Sequence, residues 1–130
     1  MKLFFDEDMG TSVPKALRQA QAPCEDILFP RPGGPLRPGA TDLDWLSYAG
    51  EHGYLAISAN KHILDSDVER QALLDARAAV VFLASGQERV FTVFRLIVRR
   101  WDWLVELDRA ESRPFAYLLT ARGRVRQVVP

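Results

Sequence analysis

Cysteine is nearly absent from this 130-residue sequence. The single Cys24 cannot close an internal disulfide, which fits a reducing compartment, and it reads as a buried or half-buried small residue. Histidine is almost as scarce. His52 and His62 have neither a Cys nor a close His partner at zinc-ligand spacing, so a structural zinc site is set aside. No apolar run approaches the ~20 residues that a bilayer crossing needs. The opening Met1-Lys2-Leu3-Phe4-Phe5-Asp6 is too short and too quickly acidic for a signal peptide, so a soluble cytoplasmic protein is expected. Net charge is lacking too. Lys plus Arg is 17 and Asp plus Glu is 17, whereas a generic polyanion binder is usually more basic. With 48% hydrophobic and 26% charged residues, a disordered chain, a collagen-like repeat and a coiled-coil rod are excluded. The length suits one domain over residues 1–130 and leaves no room for two independent cores.

The balanced total hides an asymmetry. Residues 1–65 carry 6 basic and 9 acidic side chains, whereas residues 66–130 carry 11 basic and 8 acidic ones, every basic residue there being Arg. An acidic half beside an Arg-rich half could serve a metal on one side and phosphate on the other. Chance surface variation is the plainer alternative.

Along the chain, short apolar runs alternate with helical patterns. Leu3-Phe4-Phe5 reads as a buried strand that stops at Asp6-Glu7-Asp8. Thr11 or Ser12 then caps a helix to about Ala20, with Pro14 in its first turn and Val13, Ala16 and Leu17 inward. Ile27–Phe29 is a second strand. Residues 30–40 hold four of the eight prolines and three of the eight glycines and read as a rigid surface loop. Thr41 or Asp42 caps a helix through about His52, with Trp45, Leu46 and Ala49 apolar and Gly53 as its stop. A strand over Tyr54–Ser58 exits through Ala59-Asn60-Lys61-His62. A helix from Ser66 to Ala76 aligns Val68, Ala72, Leu73 and Ala76, and Val80–Leu83 is another strand. From Gln87 to about Leu107, Val90, Phe94, Ile97, Trp101 and Leu104 recur at helical spacing, predicting one long amphipathic helix with that stripe in the core. Strands over Phe115–Thr120 and Val125–Val129 flank a turn at Arg122-Gly123. The alternation predicts an α/β fold with a mainly parallel central sheet and an antiparallel hairpin at its edge.

In open α/β sheets, ligands sit beyond the carboxyl ends of the parallel strands. Asp6, Glu7 and Asp8 follow the first strand, Asn60 follows the strand ending at Ser58, and Asp42 opens the helix leading into that strand. Gathered at one edge, these carboxylates repel one another unless a cation or protons offset the charge. Mg²⁺ or Mn²⁺, which prefer oxygen ligands, would be natural counter-ions. Each residue also has a plain structural role: Asp42 as a helix cap, Asp6 to Asp8 as a solvated strand exit, Asn60 as a turn residue. Glu69-Arg70 reads as an ion pair on its helix. Arg99, Arg100, Arg122, Arg124 and Arg126 are either phosphate contacts or a solvated surface.

The order Phe4-Phe5-Asp6-Glu7-Asp8-Met9-Gly10, Val13-Pro14-Lys15-Ala16-Leu17-Arg18, Thr41-Asp42-Leu43-Asp44-Trp45-Leu46 and Glu51-His52-Gly53-Tyr54-Leu55-Ala56-Ile57-Ser58-Ala59-Asn60-Lys61-His62-Ile63 resembles the PIN-like domains of bacterial VapC-type toxins. The likeness continues through Val68–Leu73, Val81–Leu83, Arg113-Pro114-Phe115 and Gly123-Arg124-Val125. It implies a three-layer α/β/α sandwich and a ribonuclease site that holds Mg²⁺ or Mn²⁺. The family's metal-facing acids fall here at Asp6, Asp42 and Asn60, which the resemblance marks as the catalytic positions, with Asp8 joining them as a metal ligand. Ser58 and Lys61 would stand just behind, Ser58 hydrogen-bonding into the site. Ser58-Ala59-Asn60-Lys61 departs from the family's Thr-x-Asp-Lys at its central acid. An amide offers one neutral acceptor oxygen where a carboxylate offers two and a charge. The resemblance further implies RNA as substrate and a separate antitoxin protein as partner, and leaves homodimer formation open. A catalytically degenerate domain that binds RNA or protein without cleaving is the rival reading, and an unrelated α/β binding module whose acids are caps and turns is a third.

Overall fold

The computed structural model describes residues 1–84 and 89–129. In chain order the elements are Lys2–Phe5 (β1), Ser12–Gln19 (α1), Asp26–Leu28 (β2), Asp42–His52 (α2), Leu55–Ser58 (β3), Asp67–Asp75 (α3), Ala79–Leu83 (β4), Val90–Arg99 (α4), Trp101–Ala110 (α5), Phe115–Leu119 (β5) and Val125–Val129 (β6). Single 3₁₀ segments at Glu7–Met9 and Lys61–Asp65 follow β1 and β3. The strands form one sheet in the order β2-β1-β3-β4-β5-β6. β1 to β5 run parallel, and β6 pairs antiparallel with β5 at the edge. The mainly parallel sheet with an antiparallel edge strand is the one expected from the alternation of elements, and the α/β/α layering is the one the resemblance implied.

The pleat sorts the core into two layers, since successive residues of a strand face opposite ways. Leu3, Phe5, Leu55, Ile57 and Val81 pack under α1, α4 and α5, through Val13, Leu17, Val93, Ile97 and Leu104. Phe4, Ala56, Val80 and Phe82 pack under α2 and α3, through Trp45, Leu46, Ala49 and Leu73. Each Leu, Ile, Val or Phe among them, taken fully from water, contributes about 1.5–3 kcal/mol. α2 ends as expected at Gly53, whose φ of +74° suits a glycine. Gly50 allows the close approach of α2 to α3: a Cβ there would lie 2.2 Å from the carbonyl oxygen of Ala76.

Two expectations fail. The long helix predicted over 87–107 is two helices, α4 and α5, which break at Arg100 (φ −99°, ψ 13°); its predicted start at Gln87 lies outside the described residues. A break resets the helical phase, so a stripe drawn through one helix misplaces its ends. Ile97 and Leu104 are buried, but Val90 is 54% exposed and Phe94 and Trp101 are only half-buried against the core, while Val93, Leu96 and Leu107 are buried instead. Val68, expected inward on α3, is also exposed. It sits in the first turn of a short helix whose fully buried residue is Leu73.

Ile97→Ala is expected to cost about 2–5 kcal/mol and Val90→Ala no more than about 0.5 kcal/mol, read from urea denaturation midpoints. Equal losses would contradict this assignment of α4's buried face.

Candidate functional site

The strand order reverses between β1 and β3, and there the carboxyl ends of two parallel strands open a crevice, the usual place for a ligand in such sheets. Asp6 sits at its floor. The Asp6 N–H donates to the Ile57 carbonyl at 3.0 Å, which stitches the end of β1 to β3. Its side chain is 5% exposed; Oδ1 accepts from the Glu7 N–H at 2.7 Å and Oδ2 from the Ser58 hydroxyl at 2.9 Å. Ser58, fully buried, also accepts from the Asn60 N–H at 3.0 Å, so one hydroxyl fixes both the carboxylate and the loop after β3.

Asp42 arrives from the facing helix layer. A reciprocal capping box between Thr41 and Asp44 closes the start of α2. The cap is therefore Thr41, and Asp42 is left free to turn toward the crevice. Its Oδ1 accepts from the buried Trp45 indole N–H at 3.0 Å, and its Oδ2 accepts from Asn60 Nδ2 at 2.9 Å. Trp45 itself is pinned in the core against Phe4, with ring centroids 5.4 Å apart. Asn60 thus presents the donor end of its amide to the carboxylate.

Asp8 stands at the rim, exposed, accepting weakly from the Ala59 N–H at 3.4 Å. The Lys61 ammonium donates to the Ala84 carbonyl, just past the end of β4, at 3.0 Å. The proline-rich loop is anchored at two points. Leu36 is buried in the core, and Gly39 N–H donates to Glu7 Oε2 at 2.8 Å, which brings the end of the loop beside the crevice.

Glu69 is a neighbour the sequence disguised. Ser66-x-x-Glu69 has the form of a capping box, and Ser66 does accept from the Glu69 N–H. The Glu69 carboxyl, however, lies against Asp42. Its Oε2 is buried with no hydrogen-bond partner. The expected Glu69–Arg70 ion pair does not form among the described residues, since adjacent helical residues do not face each other.

Electrostatics follow from this crowding. Burial, then the charge of Asp8, then that of Asp42 push the Asp6 carboxyl up to about 7, against the opposing hydrogen bonds from Ser58 and Glu7. Asp8 is also raised, first by protein packed against it and then by Asp42; its open surface lets solvent screen much of that effect. Burial and the adjacent Asp42 likewise raise Glu69. No salt bridge reaches any of these acids among the described residues.

The donor set is chemically suited to a hard divalent cation. It offers carboxylate oxygens, Asp6 is held almost wholly from water, and one buried oxygen, Glu69 Oε2, lacks a partner. The spacing is looser than a finished metal cage: among the described residues, no three His, Cys, Asp or Glu side chains stand together as a ready-made metal-holding group. Asn60 Nδ2 lies against the Asp42 oxygen that an ion would seek.

A family model described as "PIN like domain" matches residues 1–85, which cover β1 to β4 and every acid of the crevice. No curated protein and no solved structure matches the chain.

The folded protein holds the Asp6 proton up to about pH 7, whereas an unfolded chain releases it near 3.8. The stability this contributes is complete below about pH 4 and is lost as pH rises through 7. Metal-free protein is expected to weaken over that interval by a few kcal/mol, on the order of 1.4 per pH unit at most. Asp6→Asn should flatten the slope of guanidinium midpoint against pH. The same slope in wild type and variant would contradict the assignment.

Proposed function

The chain belongs to the PIN-like domain family, and from that premise we propose that residues 1–130 act as one cytoplasmic domain that is a metal-dependent endoribonuclease, the toxin of a toxin–antitoxin pair. Its substrate would be an RNA phosphodiester at the edge where β1 and β3 end. The observation that carries the reading is the gathering of Asp6, Asp8 and Asp42 around one crevice with, among the described residues, no cationic side chain paired to them. Asp6 and Asp42 would hold Mg²⁺ or Mn²⁺, with Asp8 at the rim and Asn60 in the place of a fourth oxygen ligand. Glu69 would add a further carboxylate behind Asp42. Such an ion, when bound, supplies Lewis-acid stabilisation of phosphoryl charge and a water of lowered pKa.

The chain's own residues do the positioning. Ser58 aims Asp6 by donating to Oδ2, and Trp45 aims Asp42 by donating to Oδ1. Because both donors are buried, the two carboxylates keep their directions without help from the solvent. A separate antitoxin would cover the acidic edge, and a homodimer is a compatible assembly. The hydrogen bond from Asn60 to Asp42 favours a second reading, in which a neutral amide has replaced a ligand and the domain binds RNA or a protein without cleaving it.

Calorimetric Mn²⁺ titration and an RNA cleavage assay separate these readings. Asp6→Ala is expected to weaken Mn²⁺ binding at least ~10-fold, as loss of a metal-site group does, and to abolish cleavage. Asn60→Asp restores a negative charge at nearly constant volume and is expected to tighten Mn²⁺ binding and raise cleavage. Equal affinity in wild type and Asp6→Ala would overturn the site, and weaker binding in Asn60→Asp would remove Asn60 from it. Metal binding without cleavage in both wild type and Asn60→Asp would select the degenerate reading.

A further inference from the structure

A second polar site opens on the same edge of the sheet. β5 runs parallel to β1 and β3, so the turn after it lies at the same end as the acidic crevice. Between that turn and α4 is a cavity of about 360 Å³. Arg95, Arg99 and Arg100 line it from α4 and its end, and Arg122 from the turn, with Thr92 and Gly123 beside them and, among the described residues, no acidic side chain in the lining. Gly123 adopts φ +85° and lets the Arg100 guanidinium approach closely enough to donate to its carbonyl. Among the described residues, none of the four arginines forms a salt bridge.

Collecting these charges has a cost. Arg95 and Arg99 are four apart on one helix, a like-charge spacing that destabilises it. The negative end of α4 accounts for Arg99 and Arg100, but not for Arg95 one turn earlier or for Arg122 arriving from another element. Guanidinium forks match the paired oxygens of a phosphate. The cavity is at the small end of ligand pockets, fitting one phosphate and its sugar.

We infer that this arginine-lined cavity seats a backbone phosphodiester of the same RNA strand whose cleavage site lies at the acidic crevice. The inference rests on the proposed ribonuclease reading for its choice of RNA. β5 stands two strands from β3 and three from β1, roughly 10–15 Å at ~4.8 Å per strand. A single strand at ~3.4 Å stacked spacing covers that distance in about three or four nucleotides. The cavity would therefore fix the register of the strand across the crevice, and its arginines are positioning residues with no part in bond cleavage.

The test is fluorescence anisotropy with a labelled short oligouridylate in EDTA, so that metal binding and cleavage do not enter. The double variant Arg95→Gln/Arg122→Gln is compared with Arg124→Gln/Arg126→Gln, which removes the same charge from exposed positions outside the cavity. The pocket double is expected to bind at least tenfold more weakly than wild type, with the slope of log affinity against log salt reduced by about 0.7, the value for one phosphate contact on a single strand. The control double should change little. Equal weakening by both doubles, or no binding by wild type, overturns the inference. Tighter binding of polyglutamate than of RNA, lost in the pocket double, would assign the cavity to an acidic protein segment and also overturn it. Should the pocket double fail to fold, Arg122→Gln alone, on an exposed turn, carries the same comparison against Arg124→Gln. Cleavage without a difference between the doubles removes only the cavity; a difference without cleavage removes only the nuclease reading.

Discussion

Asp6 is a carboxyl group taken almost wholly out of water with no cationic side chain paired to it among the described residues. Burying such a group is costly unless it is neutralised or densely hydrogen-bonded. Much of the surrounding structure answers that constraint. The backbone of Asp6 is tied to β3, its two oxygens take donors from Glu7 and Ser58, and its proton is held to about pH 7 by burial and by Asp8 and Asp42. The same Ser58 hydroxyl orders the loop that carries Asn60, and Asn60 in turn reaches Asp42. The floor of the crevice and its opposite wall are thus joined through one buried hydroxyl and one amide.

The two helix layers contribute unequally to this arrangement. α2 and α3 bring Asp42 and Glu69, and their close approach at Gly50 sets where those two acids meet. Trp45 couples packing to chemistry directly, because the ring that fills the core also donates to Asp42. On the other layer, the break between α4 and α5 brings Arg100 to the β5–β6 turn and opens the arginine-lined cavity there. The acidic first half and the Arg-rich second half of the chain therefore meet along one edge of the sheet.

Much of this was legible in the residues. Alternating apolar runs and helical stripes located the strands and most of the helices, and the acids after β1 and before α2 stood out because parallel strands deliver their ends to one edge. What escaped was set by tertiary geometry. A continuous helical stripe gave no sign of the break at Arg100, so Val90 was assigned to the core. Thr41 and Asp42 compete for the cap of α2, and only the reciprocal Thr41–Asp44 bonds decide between them. Glu69 reads as local, the partner of Arg70, because its contact with Asp42 is made between two helices far apart in sequence. Nothing in the composition of residues 30–40 indicated that Leu36 would enter the core or that Gly39 would bond Glu7.

Asn60 is the point on which the functional account turns. It keeps Asp42 oriented but brings no charge, so a cation would have to displace its Nδ2 from the Asp42 oxygen or bind beside it. The most direct measurement is anomalous diffraction from a crystal soaked in Mn²⁺. The account expects one Mn²⁺ peak within about 2.0–2.2 Å of Asp6 and Asp42 oxygens, a spacing common to small hard cations, with the Asn60 amide moved from its hydrogen bond to Asp42. A crystal that holds no Mn²⁺ in the crevice at saturating concentration, while the protein in solution cleaves RNA only when Mn²⁺ is present, would contradict it.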